Sequence, residues 1–170
     1  MDITQLILDD HHEQRRLFAM LEQIDPADRR SLAAVWRRLS TFLEVHAEAE
    51  EKFFYPVLLK VGRAAGVKDR AQDETLDAIK DHNEIRDAVA AVSTREIGNA
   101  AWYEAVAAAN KANGDHMAEE EREGLTDVRR YGSLELRHDL AVAFATFETA
   151  HVSGVIPTDK DPEGYIESHS

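Results

Sequence analysis

Four histidines of the chain lie on the inward faces of predicted helices, each on a different helix: His11, His46, His82 and His116. Two of them are followed four residues later by a glutamate, in the pairs His46–Glu50 and His116–Glu120. Side chains at positions i and i+4 lie one turn apart on the same face of a helix. An imidazole and a carboxylate spaced in this way can bind one metal ion, or two ions that lie close together.

The same pattern occurs twice in the chain. Residues 10–15 read DHHEQR and residues 81–86 read DHNEIR, so both fit D-H-x-E-x-R. Residues 46–51 read HAEAEE and residues 116–121 read HMAEEE, so both fit H-x3-E-E. We interpret these matches as a degenerate internal repeat of a helical hairpin. Two such hairpins, packed with pseudo-twofold symmetry, would bring four histidines and two glutamates to one central point.

These six side chains together favour a metal site over ordinary core packing. A single histidine on an apolar face is more often a hydrogen-bonded core residue than a ligand. Six inward polar side chains would be costly to bury unless they were paired or bound to metal. The chain has no cysteine, so the ligands would be imidazoles and carboxylates, which suit iron, manganese or zinc. No His-Glu-x-x-His segment occurs, which excludes that zinc-protease motif.

Only one of the adjacent residues His11 and His12 can face the centre, because neighbours on a helix point about 100° apart. The internal repeat selects His11, and so does the apolar stripe of the first helix. His12 is then expected on the flank of the bundle. Together with Asp81 and Glu119, it is a candidate for a side chain that supports the ligands without binding metal.

The remaining aromatic and histidine residues are expected outside the site. Tyr55 lies nine residues after His46, which on a regular α-helix is roughly the opposite face, so we expect it to pack in the core. His138 and His151 lie beyond the repeat and are expected at the surface or in packing contacts. An alternative is that His151 lines a route to the site.

The period of the apolar residues predicts five helices that must position these side chains. They run from about Ile3 to Ile24, Arg29 to Leu59, Lys68 to Val92, Asn99 to Val128 and Leu134 to His151. Pro56 is expected to kink the second helix. The pattern favours an all-α fold, with an antiparallel four-helix bundle over residues 1–128. An additional C-terminal helix, within residues 129–152, would pack on the bundle's outside or end, and residues 153–170 would form a polar tail.

Length and charge limit the classes of partner. The chain has 170 residues, enough for one domain with a sizeable core. Its net charge of −13 argues against a nucleic-acid partner, which needs clustered Lys and Arg, and against an anionic membrane surface. No apolar stretch approaches the roughly 18 to 20 residues of a membrane span, and the N-terminus has no basic region. We therefore expect a cytoplasmic protein without a nucleic-acid or membrane partner.

These segments resemble the hemerythrin-like family, also described as HHE cation-binding domains, over about residues 1–128. The resemblance is carried by DHHEQRRLF at the start, HAEAEEKFFYP in the second helix, DHNEI in the third and HMAEEE in the fourth. It implies a non-haem centre of two iron ions with an oxo or hydroxo bridge, for which manganese or zinc could substitute. An open position would take O2, NO or peroxide. By position, the imidazole ligands would be His11, His46, His82 and His116, and the bridging carboxylates would be Glu50 and Glu120.

The chain departs from the oxygen-carrying members of that family at two positions. Those proteins have a further histidine one turn before the ligand on the third helix, where this chain has Ala78. They also have an aspartate five residues after the fourth-helix histidine, where this chain has Glu120 at four residues. Fewer imidazoles imply a more open iron, with water, Asp81 or Glu119 to fill the gap. This difference favours redox chemistry on peroxide or NO over simple reversible carriage of O2.

Several functions remain open at this point. A binding module would hold O2 or NO as a sensor or store, whereas an enzyme would process peroxide, reduce NO or oxygenate a small organic substrate. No catalytic side chain can be named from the sequence. A rival of another class is a metal-free helical interaction protein that uses the C-terminal helix and the acidic tail as its partner surface.

Overall fold

The computed structural model describes residues 1–169, and within them the chain forms helices and no strand. The helices are α1 Ile3–Gln23, α2 Arg29–Ala49, α3 Tyr55–Ala64, α4 Lys68–Ser93, α5 Ala100–Arg122, α6 Gly124–Tyr131, α7 Leu134–Ala150 and α8 Pro162–His169. A π-helical turn, Glu50–Phe54, joins α2 to α3 without a break. The prediction of an all-α fold is confirmed.

The bundle consists of two helical hairpins. α1 packs against α2, and α4 packs against α5, while contacts of α3 with α4 and of α1 with α5 join the two hairpins. Polar caps set where the helices begin: Asp28 accepts the backbone N–H of Ser31, and Asn99 accepts that of Trp102. The antiparallel four-helix arrangement predicted from the apolar period is therefore present.

The second bundle helix differs from its prediction in one important way. It continues to Ala64 and contains the π turn, so it does not end at Pro56 or near it. Pro56 lies in the first turn of α3, two residues after the end of the π turn. A π turn inserts one residue into the helix, so all residues after it are rotated relative to the α-helical period.

The fourth bundle helix is interrupted, which the prediction of a single helix from Asn99 to Val128 missed. α5 ends at Arg122, Glu123 has φ −112° and ψ −73°, and α6 begins at Gly124. A side chain at Gly124 would overlap with Oε1 of Glu74 on α4. The break therefore falls where the backbone passes close to a buried carboxylate.

The bundle interior is divided into two apolar clusters with a polar layer between them. One cluster contains Ile7 and Ile79, and the other contains Leu17 and Ile85. Each bundle helix passes from one cluster to the other. On α1, His11 falls between Ile7 and Leu17, and the other inward histidines occupy the same level of their helices. The helix packing thus fixes the depth at which the polar side chains meet.

The C-terminal segment packs on the bundle. α7 lies against α1 and α2, as expected of an additional helix on the outside. The prediction of a polar tail over residues 153–170 is wrong for its last part, because Pro162–His169 form α8, which packs against α4. Asp161 begins this helix by accepting the backbone N–H of Gly164, and Tyr165 is buried. Ser170 lies outside the described residues. In the described part of the chain, no helix combines the length and the apolar character needed to cross a membrane.

Candidate metal centre

All six side chains predicted as metal ligands lie buried in the polar layer of the bundle. α1 supplies His11, α2 supplies His46, the π turn supplies Glu50, α4 supplies His82, and α5 supplies His116 and Glu120. None of the six residues is more than 4% exposed. Four separate segments of the chain therefore place nitrogen and oxygen donor atoms in one buried region of the bundle.

Glu50 lies at the centre of this set. Its Oε1 is 2.9 Å from Nε2 of His46 and 3.9 Å from Nε2 of His11. Its Oε2 is 3.2 Å from Nε2 of His82 and 3.9 Å from Nε2 of His116. Each oxygen thus faces two imidazoles, and the donor atoms of each group of three lie within 4.8 Å of one another. This is the arrangement by which one carboxylate can bridge two metal ions.

Glu120 lies at the edge of the set, and the structure does not place it in either group of three. Its Oε2 is 3.4 Å from Nε2 of His11, on the same side of the site as His46. Its Oε1 accepts a hydrogen bond of 2.9 Å from the hydroxyl of Tyr55. Ligation by Glu120 remains a prediction, with one oxygen toward the donors and the other held by a phenol.

Tyr55 is therefore part of the site, contrary to the expectation from the sequence. Its side chain is fully buried and its ring lies 5.7 Å from that of His82, centroid to centroid. The expectation assumed an unbroken α-helix between His46 and Tyr55. The π turn at Glu50–Phe54 lies between them, and its wider turn rotates Tyr55 from the outer face to the inner one.

Each site histidine also has a carboxylate at its second ring nitrogen, Nδ1. The pairs are His11 with Glu121 at 2.9 Å, His82 with Glu51 at 2.9 Å, His46 with Asp10 at 3.3 Å and His116 with Asp81 at 3.5 Å. The first two pairs are hydrogen bonds. Because a carboxylate only accepts, it directs the proton to Nδ1 and leaves the Nε2 lone pair for the centre of the site.

These carboxylates follow the internal repeat of the sequence. Asp10 and Asp81 each precede an inward histidine and face the histidine of the other helix in the same hairpin. Glu51 and Glu121 each follow an inward glutamate and face the histidine of the other hairpin. The sequence-based expectation missed Asp10, Glu51 and Glu121. The repeated acids next to each inward residue were the signal that could have found them.

The arginine of each D-H-x-E-x-R segment completes the pattern. Arg15 lies 2.7 Å from Oε1 of Glu121, and Arg86 lies 2.8 Å from Oε1 of Glu51. Each arginine thus holds the carboxylate that contacts the histidine of its own segment. The Asp, His and Arg positions of D-H-x-E-x-R therefore lie at the site or next to it. The Glu position does not, because Glu13 pairs with Arg16 and Arg38 and Glu84 is exposed.

Of the three residues predicted to support the ligands, one contacts a site histidine and two are exposed. Asp81 lies near Nδ1 of His116, so it acts on a histidine and does not fill the position that Ala78 leaves vacant. His12 and Glu119 are exposed. The burial of His11 and the exposure of His12 agree with the choice made from the repeat.

Buried polar atoms without partners mark the site as one that fits a metal. Nε2 of His11, Nε2 of His46, both oxygens of Glu50 and Oε2 of Glu120 have no hydrogen-bond partner within residues 1–169. His46 and Glu50 approach to 2.9 Å without the geometry of a hydrogen bond. Such atoms are costly in a protein interior unless a cation satisfies them.

The pKa values of the site residues in the metal-free protein also indicate that the buried carboxylates favour positive charge nearby. Burial by itself lowers the pKa of His11, but the carboxylates of Glu120 and Glu121 outweigh burial and raise that pKa to about 9. Burial is likewise outweighed at His116, whose pKa the surrounding carboxylates raise to about 10. Burial favours the neutral form of Glu50, yet the facing imidazoles hold its pKa well below its usual range. Protons on the imidazoles thus supply the positive charge that a bound metal would supply.

A crevice of about 310 Å³ along α4 and α5 reaches the site from the surface. Tyr55, His116 and Glu120 line its inner end, and Ala78 lines its wall one turn before His82. The small Ala78 side chain therefore leaves space beside the histidines. Charged side chains line the rest of the crevice, mostly carboxylates together with Arg70 and Arg122. Burial and the negative charge of Glu120 raise the pKa of Glu74, one of these carboxylates, to about 9.

The C-terminal helix α7 contacts the other side of the site. Oε1 of Glu148 lies 3.7 Å from Nδ1 of His46. Glu148 also lines a groove of about 560 Å³ between α2 and α7, together with His151. His151 lies within hydrogen-bond distance of the carbonyl of Phe147 and stacks on its ring, so it has a packing role at the groove. His138 is exposed.

The comparison with protein families agrees with this geometry. A family model described as the hemerythrin HHE cation-binding domain matches residues 2–126. The chain therefore belongs to the hemerythrin HHE cation-binding family, and it is an all-α protein with buried His and Glu groups suited to a cation. Searches of curated proteins and of solved structures gave no significant match.

Proposed function

We propose that this chain is a non-haem di-iron protein that binds or reacts with O2, NO or peroxide. The observation that carries the proposal is the position of Glu50, whose two oxygens each face a separate pair of imidazoles. Donor sets of imidazole and carboxylate without thiolate suit iron, with manganese or zinc as alternatives. Paired metal sites of this composition are known in helical bundles.

The residues of the chain have separate tasks in this proposal. Four imidazoles and Glu50 would hold two iron ions, which would supply the redox chemistry when bound. Tyr55 holds a proton at Oε1 of Glu120, beside the inner end of the crevice. The crevice admits a small polar ligand, and its walls of charged side chains do not suit an apolar organic substrate. Among the proposed ligands, peroxide therefore suits this crevice best, and oxygenation of an apolar organic compound is disfavoured.

The metal-free interaction protein is less well supported. It would leave several buried donors and acceptors of the polar layer without partners, at a cost of about 1 to 3 kcal/mol for each group. Binding of two metal ions satisfies these atoms together. The same atoms thus favour a metal protein over a purely structural bundle.

Metal analysis of the purified protein tests the proposal. We expect about two equivalents of iron after expression in iron-replete medium, and loss of at least one equivalent in Glu50→Ala. His138→Ala is the matched control, because this histidine is exposed and distant in sequence from the repeat, and it should keep both equivalents. Less than about half an equivalent of iron, manganese or zinc in the unmodified protein would overturn the proposal. Retention of two metals by Glu50→Ala would refute its bridging role.

Optical spectra of the reduced protein separate a carrier from a catalyst. Mixing with O2, NO and peroxide should give rapid reaction with peroxide or NO. A stable oxygenated species that forms and decays reversibly would instead assign the protein to reversible O2 binding.

A further inference from the structure

The two halves of the site are related by the internal repeat, but their outer carboxylates are covered to different degrees. Glu121 and Glu51 are equivalent in the repeat and contact Nδ1 of His11 and His82 respectively. The side chain of Glu121 is 28% exposed, whereas that of Glu51 is 2% exposed. The carboxylate beside His82 is therefore buried, whereas the carboxylate beside His11 is partly exposed to solvent.

The difference coincides with the C-terminal segment, which lies over Glu51. Nζ of Lys160 is 3.6 Å from Oε2 of Glu51 and 3.2 Å from Oε2 of Glu48. The hydroxyl of Tyr165 donates a short hydrogen bond to the backbone carbonyl of Glu51. Oε2 of Glu51 has no hydrogen-bond partner within the described residues, and Lys160 places a positive charge 3.6 Å from it.

Asn83 anchors this segment to the bundle. Its side-chain amide donates to the carbonyl of Lys160 at 2.8 Å and its amide oxygen accepts from the backbone N–H of Lys160 at 3.1 Å. Asn83 occupies the repeat position at which the first half has His12, which is exposed. One half of the repeat thus carries an attachment point for the C-terminal segment at the position directly after its inward histidine.

Glu51 connects the C-terminal segment to the site, because it contacts both Lys160 and His82. Its Oε1 accepts from Nδ1 of His82 and from Arg86, while its Oε2 faces Lys160. The orientation of His82, and of the Nε2 that faces Glu50, therefore depends on how firmly Glu51 is held. Groups that hold a ligand histidine through its second nitrogen typically change metal affinity by about 10- to 100-fold when removed.

We propose that Lys160 and Tyr165 are positioning residues that hold Glu51, and through it His82, and so make the metal position at His82 and His116 tighter than it would otherwise be. This inference rests on the proposed two-metal function. It gives a role to a segment that lies beyond the matched residues 2–126 of the family domain. The two metal positions should therefore respond differently to changes in the C-terminal segment.

The test compares Lys160→Met and Tyr165→Phe with the matched control Lys80→Met. Lys80 is an exposed lysine on α4 that pairs only with Asp77, at 3.2 Å, among the described residues. Iron(II) is titrated into each metal-free protein against a competing chelator, and the ⁵⁷Fe-loaded proteins are compared by Mössbauer spectroscopy. Circular dichroism and thermal melting of each metal-free variant check that the bundle is intact.

We expect Lys160→Met to weaken one of the two binding steps by about three- to tenfold, less than removal of a group that contacts the histidine itself, and to leave the other within about twofold. One of the two iron environments in the Mössbauer spectrum should change. Tyr165→Phe keeps the ring that packs in the core and removes only the hydroxyl, so it should give a smaller change in the same step. Lys80→Met should change neither step.

Equal weakening of both steps, or changes below twofold in both variants, would overturn the inference. Its failure is distinct from failure of the proposed function, because the latter appears as missing metal in the unmodified protein. If all variants bind two iron ions with the affinity of the unmodified protein, the proposed function stands. Only the role given to the C-terminal segment is then wrong.

Discussion

Each site histidine contributes both of its ring nitrogens. Nε2 faces the centre of the bundle, and Nδ1 faces a carboxylate on another helix, so the ring is fixed at two points. This arrangement favours the tautomer with a proton on Nδ1, and it makes Nε2 a more basic electron-pair donor to a metal. At the scale of single residues, each of the four histidines is thus oriented by an acid at its second ring nitrogen.

The variant Glu121→Gln tests this point. The amide keeps the size of the side chain and loses the negative charge that favours the proton on Nδ1 of His11. We expect the metal affinity of one binding step to fall by about 10- to 100-fold, measured by competition with a chelator. Glu119→Gln, two residues earlier and exposed, is the control and should leave affinity unchanged. Equal affinities of the two variants would contradict the role given to Glu121.

At the scale of secondary structure, two irregular segments shape the site. The π turn carries Glu50 and Glu51 and rotates Tyr55 inward, so one unusual turn delivers three of the side chains discussed above. The break between α5 and α6 at Glu123 follows directly after Glu120 and Glu121. Both irregular segments thus adjoin the second half of an H-x3-E-E motif, one in each hairpin.

Two glycines of the fourth bundle helix should respond oppositely to substitution by alanine. Gly124→Ala places a methyl group against Oε1 of Glu74, the end of a side chain that can rotate, and should lower the free energy of unfolding by less than about 1 kcal/mol. Gly114→Ala lies inside α5 with no other atom within 4 Å of an added Cβ, so it should raise that free energy by about 0.4 to 1 kcal/mol. Urea unfolding of the metal-free proteins measures both. Stabilisation by Gly124→Ala would show that Glu74 and α6 can move apart freely.

At the scale of the whole molecule, the polar layer between the two apolar clusters couples stability to pH. The folded-state pKa values of about 9 for His11 and about 10 for His116 exceed the ordinary value of 6.5. The stability that these groups contribute is complete below pH 6.5 and is lost as the pH rises through 9 to 10. The metal-free protein should therefore become less stable by several kcal/mol between pH 6.5 and pH 10.

Urea unfolding at a series of pH values checks this expectation. The metal-loaded protein should lose less stability over the same range, because bound metal replaces the protons on the imidazoles. Metal affinity should rise with pH for the same reason. A stability of the metal-free protein that stays constant between pH 6.5 and pH 10 would contradict the electrostatic account of the site.

Much of the fold and of the candidate site follows from local sequence patterns. The apolar period locates the four bundle helices and α7, because burial of one helix face requires that period. The i, i+4 spacing and the internal repeat bring six donor residues to one layer, since equivalent positions on packed hairpins meet at the same depth. Whether these residues bind metal remains a prediction that the proposed experiments test.

The sequence by itself thus determined the helices, the depth of the polar layer and the choice of His11 over His12. Only the tertiary structure decided that Tyr55 points inward, because the π turn leaves no clear mark in a period of apolar residues. It also decided which acid holds which histidine and where α8 packs, as in the contact of Lys160 with Glu51. Such contacts join residues far apart in the chain, and their geometry depends on helix packing that no local spacing specifies.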